Sequence, residues 1–214
     1  MDAHTFLKKA INPDEWLAKS ATLRRSGDAL WDRFFESIVH FAAATKDGGD
    51  ANADHSSRAA ADYFTSAKLL YGLALETAFK AYLLKHRPED IEFKLSADGT
   101  GEVQTVEVKQ FGVSMGSGHN LEHLAQRTGI LTLAENPLFK HESDVRTARE
   151  IMRHLSEVVY WSGRYPVPTK SGDTHVLAED VPPIALAHYI RDWTDPMLDH
   201  FQGPHAPPSS FEKR

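Results

Sequence analysis

Three arginines stand at positions 146, 149 and 153 of the segment ESDVRTAREIMRHLSEVVY, whose apolar residues recur at helical spacing. At about 100° per residue, the three fall within roughly 60° of one another. Val145, Ala148, Met152, Leu155 and Val159 face the other way, so Arg146, Arg149 and Arg153 line a solvent-facing strip with Tyr160 on the same side. Guanidinium groups in a row can engage successive phosphates, and a phenol ring beside them offers a stacking surface. The strip is therefore a candidate RNA- or phosphate-binding face. Arg164 follows just beyond it, in a turn stiffened by Pro166 and Pro168. A cation fixed in such a turn can be a phosphate contact or the partner of a buried carboxylate. The blander reading of the strip is a solvated face paired with Glu142 and Glu157.

Glu76 and Lys80 form a second constellation. They sit at i, i+4 with the favoured polarity, inside a helix that is otherwise apolar nearly all round. Such charges are costly unless paired with each other or with a third group, for which Arg164 is a candidate. They read as a structural polar core. His119 and His123 also stand at i, i+4, a spacing compatible with metal. The glutamate that a zincin carries next to its first histidine is missing, and no further ligands are specified, so no metal is expected. Asp50, Asn52 and Asp54 begin like a calcium loop, but His55 and Ala61 occupy the positions of its glycine and glutamate. Neither a G-x-S-x-G elbow nor a glycine-rich phosphate loop is present, and nothing calls for a cofactor.

The elements that must position these groups are helical. Asn12 and Pro13 suit the start of a long helix whose Trp16, Leu23, Leu30, Phe34 and Phe41 make one stripe, with Gly27 marking a close approach. TKDGGDANADHSS reads as a linker, and a second helix runs from about residue 56 to residue 86. Its face is Phe64, Ala67, Tyr71, Ala74, Ala78 and Ala81. Alternation about the turn Asp98-Gly99-Thr100-Gly101 predicts a β-hairpin over about 91–111. A short helix from His119 to Thr128 closes at Gly129, and the arginine-bearing helix runs from about Ser143 to Tyr160. The last helix carries Leu186, Ile190, Trp193, Met197 and Phe201, with Pro196 kinking or restarting it. This predicts an all-α fold in one domain over 1–203, followed by a flexible tail over 204–214.

Composition bounds the function. The chain has 214 residues, 41% hydrophobic and 25% charged, enough for a sizeable core. Its net charge of −6 gives no general attraction for nucleic acid, so RNA binding requires a local basic patch such as the arginine strip. No cysteine is present, which excludes disulfides and thiol chemistry, and no apolar run approaches the roughly 20 residues of a membrane span. The first residues lack the order of a signal peptide. A cytoplasmic protein without a membrane association is expected.

Three segments in order, LLYGLALETAFKAYLL with Glu76 and Lys80, GHNLEHLA, and LSEVVYWSGRYPVP with Arg164-Tyr165-Pro166, resemble the HEPN superfamily. They cover roughly Tyr63 to Pro168, about half the chain. The resemblance implies an antiparallel four- to five-helix bundle, here with an inserted β-hairpin, that usually forms a homodimer. Many members are metal-independent ribonucleases of toxin–antitoxin or antiphage defence systems, and others work with a nucleotidyltransferase-type protein partner. Catalytic members carry an arginine followed four to six residues later by a histidine. Arg149 and His154 fit that spacing, although Glu150 stands where a small polar residue is usual and the two side chains differ by roughly 140° around an ideal helix. The resemblance thus implies an RNA- or nucleotide-directed module. If it cleaves RNA, His154 is the acid–base group, and Arg149 with Arg164 stabilises phosphate charge. The alternative is a non-catalytic helical module that binds a protein partner.

Overall fold

Two helices of more than thirty residues each form the frame of the molecule. A computed structural model describes residues 2–46, 50–113, 118–135, 138–162 and 183–203. Helix α1 spans Ala3–Ala10, α2 Pro13–Lys46 and α3 Asp50–His86. The linker expected between the long helices is thus mostly helix, because α3 begins at Asp50 rather than near Ser56. Asn12 caps α2 through its side-chain oxygen, which accepts from the Asp14 amide at 3.1 Å. Helix α1 was not expected. Its signal is local: Asp2 caps it by accepting from the Thr5 amide at 2.8 Å.

The long helices run antiparallel. Ser20 meets Ala74, Asp28 meets Tyr71, and Trp31 and Phe34 meet Phe64, so positions rise on one helix as they fall on the other. Small residues permit this proximity: a Cβ at Gly27 would lie 3.3 Å from the Tyr71 ring. The buried face of α2 is Ser20, Ala21, Arg24, Gly27, Trp31 and Phe34, one step round from the expected stripe. Leu23 and Leu30 flank it and Phe41 is exposed. The predicted face of α3, from Phe64 to Ala81, is buried throughout.

Strands β1 (Ile91–Ala97) and β2 (Val103–Phe111) form the predicted antiparallel hairpin. Its turn is held by Asp98, whose carboxylate accepts from the amides of Thr100 and Glu102, with Gly101 at φ +87°. Helix α4 spans Leu121–Thr128, capped by Asn120 and closed by Gly129 at φ +82°. Helix α5 spans Glu142–Glu157 and passes into a π-helical turn, Val158–Ser162. The expected face of Val145, Ala148, Met152, Leu155 and Val159 is buried. Helix α6, Pro183–Gln202, continues through Pro196 without restarting. It lies antiparallel to α2, with Arg191 near Asp28 and Gln202 near Ser20. Six helices therefore pack among the described residues, with one two-stranded sheet beside them. Arg164, its proline turn and the tail over 204–214 lie outside the described residues.

Candidate functional site

The arginine strip divides into tied and untied members. Arg146 and Arg149 are exposed on α5, and Tyr160 is 54% exposed in the π-helical turn. Arg153 is engaged, but with a different acid from the two expected. Its Nε and Nη2 donate to the two carboxylate oxygens of Glu122 on α4, at 2.7 and 2.9 Å. That bidentate pair joins α4 to α5, as does the Leu121 amide, which donates to the Ser156 hydroxyl at 2.8 Å. Arg149 and His154 are not brought together: the first points to solvent, the second is half-buried, and no hydrogen bond joins them. The Cβ directions on an α-helix account for this separation.

The charge that acts on His154 belongs to a residue that sequence reasoning passed over. Lys68 of α3 is 5% exposed, and its Nζ lies 4.5 Å from the centre of the Phe64 ring. No carboxylate pairs with it among the described residues. Burial pushes its ammonium down from 10.5 to about 8. The His154 imidazole is pulled from 6.5 to about 4, first by burial and then by the charge of Lys68. Its Nε2 is covered and has no hydrogen-bond partner among the described residues. At neutral pH a buried cation, with no counter-charge among the described residues, therefore acts through its field on a neutral imidazole with an unsatisfied nitrogen. The π-helical turn closes against α3 beside it: a Cβ at Gly72 would fall 2.5 Å from Val159 Cγ2. Lys68 was legible only as a lone cation one position from the Phe64–Ala67–Tyr71 face.

The polar core around Glu76 is built as a triad. Lys80 donates to one carboxylate oxygen at 2.5 Å and His119 Nδ1 lies 2.9 Å from the other. The Glu76 side chain is 7% exposed, so both partners offset its desolvation. His119 is thus a third member that the sequence did not assign, Arg164 lies outside the described residues, and Asn120 does the capping. Lys80 also faces the Phe111 ring at 5.6 Å, which links the triad to the hairpin.

A larger network, unforeseen in the sequence, joins α2, α3 and α6. Arg24 pairs with Asp199 at 2.5 Å and with Asp195 at 3.5 Å. Arg191 reaches Asp195 and Asp28 at 2.8 and 3.3 Å, and the Tyr71 hydroxyl donates to Asp28 at 2.6 Å. Burial pushes the Asp195 carboxyl up, against the pull of Arg191 and Arg24. With every charge opposed and most polar atoms paired, this cluster fixes how α6 docks rather than offering a ligand site.

Among the described residues, no three His, Asp or Glu side chains converge as a metal centre requires. No helix of the described residues is long and apolar enough to cross a membrane. No family model, curated protein or solved structure matches the chain.

Proposed function

We propose that the protein is a phosphate-directed helical module of HEPN type that acts on RNA or nucleotides. The observation that supports this reading is the buried Lys68 ammonium, whose charge acts on a His154 imidazole that has an unsatisfied nitrogen. A buried ammonium without a counter-charge is costly, and a phosphate oxygen supplies both the charge and the hydrogen-bond partner that the two groups lack. Arg146, Arg149 and Tyr160 on the neighbouring surface extend the same recognition along a polynucleotide. In the ribonuclease form of this function, the neutral His154 ring turns outward and takes the proton of a ribose 2′-hydroxyl. Lys68 stabilises the charge that develops on the phosphate, and Arg149 with Arg164 engages the phosphates that flank it. A defence or toxin–antitoxin role, a homodimer, a cytoplasmic setting and a nucleotidyltransferase-type partner belong to the same proposal.

The second reading is a non-catalytic module that binds a protein partner. It is favoured by one observation, the commitment of Arg153 to Glu122, which removes a cation from the strip. Incubation with cellular RNA separates the two. On the first reading, RNA is bound or cleaved, and Lys68→Met and His154→Ala abolish the effect in folded protein. Binding should also weaken steeply with salt. Arg146→Ala or Arg149→Ala then reduces that slope by about one phosphate, whereas Arg153→Ala leaves it nearly unchanged. Absence of both binding and cleavage at low salt rejects the first reading.

A further inference from the structure

A cavity of about 360 Å³ opens between α1, the start of α2, the middle of α3 and β2, far along α3 from Lys68. Its walls are Phe6, Ala10, Trp16, Thr77 and Val108. The polar groups of those walls are already used internally. The Trp16 indole donates to the Ala10 carbonyl at 3.0 Å, and the Thr77 hydroxyl donates back to the carbonyls of Leu73 and Ala74. The interior thus offers an occupant apolar contact and little else. The rim differs. Lys9 and Lys19 are exposed there, and neither has an ion-pair partner among the described residues; Glu15 is the opposing charge.

We infer that this cavity binds a small amphipathic anion, an apolar chain or ring seated against Trp16 and Phe6 with its carboxylate at Lys9 and Lys19. The volume falls in the range of small-molecule sites. The chemistry divides as such ligands do, apolar within and cationic at the mouth, and the two lysines outweigh Glu15. That local excess of positive charge stands against the net −6 of the chain. Helix α1 forms one wall and joins α2 through only Ile11 and Asn12, so an occupant bridges two elements whose direct packing is limited.

Decanoate and decan-1-ol are the probes, titrated into isotope-labelled protein below their aggregation range and followed by amide and indole NMR shifts. The expected result is saturable decanoate binding that shifts the Trp16 indole and the amides of Phe6 and Val108. Lys9→Gln with Lys19→Gln should weaken decanoate about fivefold to tenfold and leave decan-1-ol unchanged. Val108→Trp, which fills the cavity from the half-exposed hairpin, should abolish binding of both. The inference is overturned if decanoate shows no saturable shift up to about 1 mM, a weak limit for a specific site. It is equally overturned if the Lys9 and Lys19 changes affect both probes alike, or if binding survives in folded Val108→Trp. Should that variant not fold, shifts in the wild-type protein that spare the Trp16 indole overturn it instead.

Discussion

Replacing Lys68 with methionine should stabilise the protein while removing the phosphate binding proposed for it. Methionine keeps an unbranched stem of similar length against Phe64 and deletes the charge. Keeping the ammonium protonated at pH 7, when burial lowers its pKa from 10.5 to about 8, costs about 3 kcal/mol. The Phe64 ring, 4.5 Å away, returns up to about 2 kcal/mol through its attraction for the cation. The difference leaves a net gain of about 1–2 kcal/mol for Lys68→Met, or roughly 3–6 °C in Tm for a chain of this length. The gain should shrink as pH rises from 8 to 10.5, because the folded wild type then carries Lys68 neutral while its unfolded chain is still charged. Calorimetry of both proteins at neutral and alkaline pH tests this. A second readout is the His154 ring, whose NMR titration should move upward once the neighbouring charge is gone. A fall in Tm of similar size, at an unchanged His154 titration, would refute the reasoning, since it requires that Lys68 be paired favourably in the native state.

Three further outcomes follow from the same geometry. Folded His154 titrates near 4 against 6.5 for an open histidine, so the unfolded chain binds the proton first. The corresponding stability is complete above about pH 6.5 and fades toward pH 4 by about 2–3 kcal/mol, and His154→Gln should flatten that slope in urea titrations. Glu76→Gln leaves Lys80 without its counter-charge and should lower the urea midpoint by the equivalent of about 3 kcal/mol at an unchanged m-value. Gly72→Ala drives a methyl into Val159 of the π-helical turn and should cost about 1–3 kcal/mol, read as a lower Tm; an unchanged Tm would mean that the turn yields freely.

Hairpin, caps and helix faces were legible because their signals are local. Asp98-Gly99-Thr100-Gly101 and Gly129 carry their own turn chemistry, and the α3 and α5 faces announce themselves by spacing. The face of α2 was misplaced by one step for a physical reason. Ser20 and Arg24 lie in the core, where hydrophobic periodicity does not look for them, and their justification comes from Ala74, Asp199 and Gln202, far away in sequence. The site followed the same rule. His154 was visible as a histidine on a helix, but the burial and the Lys68 charge that lower its pKa come from packing against another helix. His119 was likewise read by its local neighbours, whereas its function is set by Glu76, 43 residues earlier.

The docking of α6 has a consequence for synthesis of the chain. During translation α2 and α3 leave the ribosome together and can zip into their hairpin by contacts that are near in sequence. Arg24 and Asp28 then sit on its flank with their solvation intact, waiting for Arg191, Asp195 and Asp199 to emerge. Water must be stripped from Arg24, Arg191 and Asp195 and in part from Asp28 as α6 arrives, while Asp199 stays exposed, so closure is expected to be slow, late and sensitive to salt. A nascent chain stalled before α6 would expose the Phe79 and Tyr82 rings on which Phe201 comes to rest, the surface that a holding chaperone would grip.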